Sequence, residues 1–163
     1  MEMDAERSEA DEQVRRIEGH DFPEGLWYQA AEHLWLRPGE PDGSGRRLVT
    51  VGLDALGVLA LGEVVYAELG ERGLDVRAGQ ALGSLEAEKM VRPVLAPVSG
   101  TVVEVNDELQ AAPRRLNTDP YGGGWLVRIA AGAWDLEATE FLRAPGDVEA
   151  WVRQELSEHE DRR

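Results

Sequence analysis

Short apolar runs, separated by Gly, Pro and charged residues, occupy the middle of the 163-residue chain. Runs of this kind with turn-forming residues between them are typical of β-strands. The pattern therefore predicts a mostly antiparallel β domain. The predicted strands are Leu34–Arg37, Arg47–Val51, Glu63–Glu68, Ala81–Glu86, Val91–Ala96, Gly100–Val105 and Trp125–Ala130.

Two segments depart from this pattern because their apolar residues follow helical spacing. Asp54–Leu61 predicts a short helix before the third strand, and Asp147–Leu156 predicts a second helix. In the second segment Val148, Val152 and Leu156 recur every four residues and would share one face. The sequence thus predicts a mostly β fold with a short internal helix and a C-terminal helix.

The two ends of the chain are more polar than its middle. Residues 1–24 form an acidic leader with few apolar positions, for which we expect a flexible extension, disordered or loosely helical. Residues 25–156 carry the strand pattern and the second helix, and we expect them to form one domain. Residues 157–163 are a polar tail.

Composition narrows the classes of function. A formal net charge of −15 argues against nucleic acid and anionic membranes as partners, because a polyanion would be repelled. The absence of cysteine excludes disulfides and thiol nucleophiles, and three histidines alone make a poor metal site, so no metal is predicted. No stretch resembles a bilayer span or a secretory leader, which predicts a cytoplasmic protein.

Lysine is almost absent from this chain. Lys89 is the only lysine among 17 Lys and Arg residues. A GC-rich genome would account for the arginines, but it does not explain why one lysine is kept. An amine can form an amide bond and a guanidinium cannot replace it there, so Lys89 is a candidate modification site. A predicted strand on each side places Lys89 on a hairpin turn, and Glu88-Lys89 without Gly or Asn favours an ordinary type I turn.

Three residues stand at characteristic distances from this lysine. Gly79 lies ten residues before Lys89, Pro97 lies eight residues after it and Gly100 lies eleven residues after it. This spacing resembles that of biotinyl and lipoyl carrier domains. Biotin carriers usually have Met on both sides of the lysine, and here only the following residue, Met90, is Met. Biotin therefore stays the less favoured alternative to lipoate.

The resemblance extends well beyond the hairpin, from about Leu26 to Ile129, and over this range the chain looks like a glycine cleavage H protein. The matching segments are Trp27-Tyr28, Glu32–Trp35, Val51–Leu53, Leu61–Val65, Val105-Asn106, Pro113, Asn117, Asp119–Gly122 and Gly124–Leu126. The resemblance implies a flattened hybrid β-barrel, the barrel-sandwich hybrid of biotinyl and lipoyl domains. It also implies a carrier that is not itself an enzyme.

The resemblance further implies a cofactor and its partners. Lipoate would be attached covalently to Lys89 by a lipoate-protein ligase or a lipoyl transferase. Glu86, Glu88 and Met90 would complete the attachment hairpin, with the acidic residues forming part of the surface that the modifying enzyme recognises. The loaded arm would then visit the active sites of partner enzymes.

The chain departs from the family at the positions that hold the loaded arm. The family has a small hydroxyl residue, a Glu and an Asp where this chain has Glu32, Leu34 and Pro93. His33 lies beside them and is interpreted as a packed, structural histidine. Loss of two carboxylates removes the partners of an ammonium group, which is costly to bury alone. Glu32 could replace part of the lost charge.

Two pathways follow from this departure. The favoured hypothesis is a lipoyl carrier outside glycine metabolism, similar to the lipoate-binding proteins of heterodisulfide-reductase-like complexes in sulfur oxidation. The alternative is an H protein that carries the aminomethyl group from glycine decarboxylase to aminomethyltransferase. An independent enzyme is disfavoured because no nucleophile or cofactor loop is evident. An unmodified relic of an H protein is disfavoured because Lys89 has been kept.

Overall fold

The computed structural model describes residues 13–161 and is built mainly from short antiparallel strands. The strands are β1 Val14–Ile17, β2 His20–Pro23, β3 Trp27–Gln29, β4 Leu34–Pro41, β5 Arg47–Leu53, β6 Val64–Leu69, β7 Asp75–Val76, β8 Ala81–Ala87, β9 Val91–Leu95, β10 Gly100–Val105 and β11 Val127–Ala131. All the predicted strands are confirmed, Gly100–Val105 with the same bounds and the other six with one or both ends shifted. β1, β2, β3 and β7 were not predicted.

The helices are short except for the last one. They are α1 Ala55–Leu61, α2 Glu108–Ala111, α3 Arg115–Thr118, α4 Trp134–Glu137 and α5 Pro145–Asp161, with a 3₁₀ turn at Ala138–Glu140. Both predicted helices are confirmed, and α5 continues through residues 157–161, which were expected to be a tail. No helix within residues 13–161 has the length and apolarity that a bilayer span requires.

The strands form three sheets. One sheet has the order β3-β4-β5-β11-β10-β7, a second has the order β6-β8-β9, and β1 pairs only with β2. Every pairing is antiparallel, and none of the sheets closes on itself within the described residues. The mostly β class and the hybrid architecture expected from the sequence are confirmed.

Two apolar clusters hold these elements together. The larger cluster takes buried side chains from both multi-stranded sheets, among them Val49 and Ile129 from the first and Leu85 and Val94 from the second. The burial pattern of β11 alternates residue by residue, as expected for a strand with one face on a core. The smaller cluster joins β1 and β2 to α1 and α5.

The acidic leader differs from its expected flexible state over part of its length. Residues 14–23 form a hairpin whose Ile17 and Phe22 are 1% exposed, packed against the α5 side chains Val148 and Val152. Arg15, Arg16 and Asp21 stand beside the buried residues of this hairpin, and their charge hides the strands from an argument based on composition. Residues 1–12 of the leader lie outside the described residues.

Candidate functional site

A hairpin turn presents Lys89 at one end of the three-stranded sheet. Residues 88–90 lie between β8 and β9, and the Ala87 N–H donates to the Met90 carbonyl oxygen at 2.8 Å, so the tip of the hairpin is the two-residue turn Glu88-Lys89. Within the described residues, neither loop residue is among the non-glycine residues with positive φ. The structure thus confirms the predicted hairpin and excludes the primed turn types, which require positive φ.

The side chains of this turn are open to solvent. Glu86, Glu88 and Lys89 are exposed, and Met90 is 45% exposed. Neither glutamate forms an ion pair with another residue between 13 and 161. A lysine on such a turn can enter the active site of a second protein, as acylation of its amine by a modifying enzyme requires.

Arg92 ties this hairpin to the loop before β4. Its neighbours in the strand, Val91 and Pro93, are exposed, whereas the Arg92 side chain points to the other face and is only 16% exposed. The guanidinium donates to the Glu32 carbonyl oxygen and lies 3.8 Å from the Glu32 carboxylate. Burial lowers the pKa of Arg92, and the carboxylates of Glu32 and Asp54 oppose this.

The four predicted arm-cleft residues do not share one surface. Glu32 and His33 lie together in the loop before β4, and both are partly buried. Leu34 is 1% exposed and belongs to the larger core, so its side chain cannot line a solvent-accessible cleft. Pro93 is exposed on the face of β9 opposite to Arg92. The Glu32 carboxylate is already engaged by Arg92, which limits its ability to replace the lost charges.

His33 is held between a helix and a buried carboxylate. Its ring stacks on Trp151 of α5, with centroids 5.6 Å apart and planes inclined by 20°. Nε2 lies 4.0 Å from the Glu155 carboxylate and Nδ1 lies 3.9 Å from that of Asp54. Burial lowers the pKa of His33, while Glu155 raises it and Arg92 lowers it further. The packed histidine expected from the sequence agrees with this environment.

Asp54 is a buried acid that starts a helix. Its Oδ1 accepts a hydrogen bond of 2.9 Å from the Gly57 N–H, which makes it the N-cap of α1. The residue is fully buried, and its Oδ2 has no hydrogen-bond partner within the described range. Burial raises the pKa of Asp54 to about 7, against the opposing effects of its backbone hydrogen bonds and of Arg92.

A cavity of about 340 Å³ opens beside His33. It lies between α1 and α5 and has apolar walls with an acidic and two imidazole side chains. Its lining residues are His33, Leu56, Leu59, Ala60, Glu155, Leu156 and His159. The carboxylate that lines this cavity is therefore that of Glu155 on α5. Glu155 is not among the four cleft residues predicted from the sequence.

Three residues of this site were missed by reasoning from the sequence. Arg92 interrupts a mostly apolar strand. Side chains alternate between the two faces of a strand, and a charged residue at a position on the inward face could have drawn attention to it. Asp54 was placed at the start of a helix without a role as a buried acid. Glu155 lies on the predicted second helix, one residue before the buried Leu156, and nothing in its local sequence marks it.

The fold and the hairpin together define the class of protein, a mostly β domain whose single lysine is exposed on a hairpin turn. The family model for the glycine cleavage H-protein matches residues 27–155. The chain is 48% identical to the glycine cleavage system H protein of Micrococcus luteus over 108 residues, 66% of this chain and 80% of the relative. It is 42% identical to that of Mycobacterium tuberculosis over 120 residues, 74% of this chain and 85% of the relative.

A solved structure supports the same assignment. The H protein of Mycobacterium marinum superposes with a TM-score of 0.65 and 34% sequence identity, covering 82% of this chain and 98% of that one. The chain belongs to the glycine cleavage H-protein family. Proteins of this family carry lipoate attached covalently to a lysine, and their role is that of a carrier.

Proposed function

We propose that this chain is the lipoyl carrier of a glycine cleavage system, with lipoate in amide linkage to Lys89. The observation that carries the proposal is the position of the chain's only lysine on an exposed two-residue turn. Family membership supports the glycine pathway, which was the alternative hypothesis from the sequence. The sulfur-oxidation role, which the sequence analysis favoured, has no support from the relatives.

The protein's own contribution to the chemistry is to hold the lipoyl arm and to present it to the partner enzymes. Lipoate supplies a pair of sulfur atoms that can accept an aminomethyl group. Lys89 supplies the amine for its attachment, and the paired strands β8 and β9 fix where the arm begins. No residue of the turn needs to act as an acid or a base, because the partner enzymes supply catalysis.

The cavity beside His33 offers a place for the loaded end of the arm. A cationic aminomethyl group needs a carboxylate when water is excluded from it. Leu34 is buried and Pro93 faces away from the loop that holds Glu32, so these positions do not provide one. Glu155 lines the cavity, and we propose that it takes over that role in this chain. Apolar side chains of α1 would contact the hydrocarbon part of the arm.

Intact mass tests the attachment. The protein is incubated with a purified lipoate-protein ligase, lipoate and ATP. We expect one lipoyl group on the wild type and none on Lys89→Arg, because a guanidinium does not form the amide. An unmodified wild type alongside a modified control H protein would contradict the proposal.

Glycine–bicarbonate exchange tests the pathway and the cavity. The lipoylated protein is supplied to a glycine decarboxylase, and we expect exchange above the level seen with unmodified protein. Glu155→Gln should lower the exchange rate, whereas Glu160→Gln, an exposed change on the same helix, should not. The absence of exchange, with an active control carrier, would favour the sulfur-transfer hypothesis instead.

A further inference from the structure

The end of the three-stranded sheet that bears Lys89 carries an unusual concentration of exposed apolar side chains. Val65 is 48% exposed, Tyr66 is 47%, Met90 is 45% and Val91 is 62%. We call these four residues the apolar patch. The other large apolar side chains exposed in residues 13–161 are spread over different elements. These are Val14, Leu48, Leu59, Leu74, Val103 and Leu136.

The strand register explains how the apolar patch is assembled. Tyr66 on β6 and Val91 on β9 are both in register with Glu86 on β8, so the three residues form one row across the sheet. A bulge between Val64 and Tyr66 leaves Val65 without a partner and exposes two consecutive apolar residues of β6. Glu86 and Val91 of this row lie three and two residues from Lys89 along the chain, and pairing with Glu86 brings Tyr66 to them.

Carboxylates lie within and beside the apolar patch. Glu86 stands between Tyr66 and Val91 in the row, Glu88 precedes Lys89 on the turn, and Glu68 is exposed on the same strand as Tyr66. None of these three forms an ion pair with another residue of the described part of the chain. A partner that covers this surface must therefore combine apolar side chains with basic ones, since like charges would be repelled.

We propose that the apolar patch and its carboxylates are the docking surface for the enzyme that acylates Lys89. The proposal rests on the lipoyl-carrier function given above. Acylation forms a bond between Nζ and the carboxyl carbon of lipoate that ATP has activated as an acyl adenylate. It breaks the bond from that carbon to the phosphate oxygen of AMP, and it releases AMP and two protons from the ammonium. The enzyme's reacting centre must therefore come within one lysine side chain of the turn.

This distance requirement distinguishes the acylating enzyme from the enzymes that act on the finished lipoyl arm. An enzyme that acts on the far end of the longer lipoyl arm can stay away from the turn. The acylating enzyme cannot, because it must reach the bare amine, and its surface then covers the residues on either side of Lys89. Exposed apolar side chains this close to the turn would lie near the centre of such a contact, where the residues that dominate binding are found.

Steady-state kinetics of lipoylation test this docking surface. Tyr66→Ser and Val91→Thr remove exposed apolar area and should leave stability within about 0.5 kcal/mol, checked by thermal unfolding. We expect kcat/KM for each variant to fall about tenfold, with kcat at saturating carrier unchanged, as for loss of a central contact residue. Tyr66→Phe should behave as the wild type. Leu136→Ser, an exposed change on α4, serves as the matched control and should have no effect.

Changes of ionic strength and of charge test the role of the carboxylates of Glu86 and Glu88. The double variant Glu86→Gln, Glu88→Gln should lower kcat/KM and weaken its dependence on ionic strength. The control double variant Glu40→Gln, Glu140→Gln should keep the wild-type dependence. If the patch variants are lipoylated with wild-type kcat/KM, the proposal is wrong even though the carrier function stands. If they are lipoylated normally but lose exchange with glycine decarboxylase, the surface serves that enzyme and the proposal is also wrong.

Discussion

Two hairpins of this protein have opposite surroundings. In the N-terminal hairpin β1–β2, the last residue before the turn, Ile17, is buried, and the turn Glu18-Gly19 has positive φ at both residues. In the lysine hairpin β8–β9, residues 88–91 are all exposed. A hairpin that packs down to its turn adds stability, whereas one whose turn stands free gives access to Lys89.

The contacts that fix the two hairpins also differ in kind. Phe22 of the N-terminal hairpin packs against Tyr28 and Trp151, with ring centroids 5.7 and 6.3 Å away. The lysine hairpin has apolar core residues too, but the inward side chain nearest to its turn on β9 is Arg92, paired with Glu32. We call the packing of Phe22 the apolar anchor and the Arg92–Glu32 pair the polar anchor. The apolar anchor has no titratable group, whereas the polar anchor responds to pH and to screening by salt.

Breaking the apolar anchor should give the largest effect. Phe22→Ala removes a fully buried aromatic side chain, and we expect the free energy of unfolding to fall by about 3–5 kcal/mol in urea titrations. Because the lysine turn is not altered, the folded variant should still be lipoylated at the wild-type rate. Val91→Ala, a truncation on an exposed position of the lysine hairpin, should cost less than about 1 kcal/mol. Equal losses in the two variants would contradict the comparison.

The buried acid beside the polar anchor should make stability depend on pH. Burial raises the pKa of Asp54 to about 7, so the folded protein keeps a proton that the unfolded chain releases near pH 4. The stability that this group contributes is complete below pH 4 and is lost as the pH rises to about 7. Asp54→Asn cannot ionise and can still cap α1. Its free energy of unfolding, relative to the wild type, should therefore rise between pH 4 and 8 by a few kcal/mol, on the order of 1.4 per pH unit.

His33 provides a check on the sign of this effect. Burial lowers the pKa of His33, so its contribution is present above pH 6.5 and is lost as the pH falls. Both proteins contain His33, and the difference between them isolates Asp54. Asp54→Ala removes the cap as well and should lie about 1 kcal/mol below Asp54→Asn at every pH. Parallel pH curves for Asp54→Asn and the wild type would show that Asp54 is ionised in the folded state.

The core strands and the lysine turn were predictable from the sequence, but the contact between Arg92 and Glu32 was not. Apolar runs between turn residues located the core strands, and one retained lysine located the turn. Arg92 and Glu32 are 60 residues apart, and their contact depends on the packing of β9 against the loop before β4. Local patterns do not carry that information. The same limit hid Glu155, whose role depends on where α5 packs.

Removing the polar anchor should have an intermediate effect. Arg92→Gln takes away the cation that faces Glu32 and interacts with Asp54, and we expect a loss of about 2 kcal/mol, as for an unpaired, partly buried charge. Because Arg92 lowers the pKa of both Asp54 and His33, both should titrate at higher pH in the variant. Two-dimensional NMR of the imidazole checks the second point. An unchanged His33 titration would show that Arg92 does not act on this cluster.

The two turns offer the smallest and most local comparison. Gly19 has φ of +87°, and a side chain there costs about 1–2 kcal/mol because Cβ crowds the backbone in the left-handed region. Apart from Gly19 itself and its two chain neighbours, no residue within 13–161 has an atom within 4 Å of the position that a Cβ would take, so Gly19→Ala should lose stability through this local strain alone. Glu88→Ala, at an exposed residue of the other turn with ordinary backbone angles, should change it by less than about 0.5 kcal/mol. Urea unfolding of both variants measures the difference. If Glu88→Ala destabilises the protein as much as Gly19→Ala, the lysine turn stabilises the fold as the first turn does. The idea that one hairpin provides stability and the other provides access to Lys89 would then be wrong.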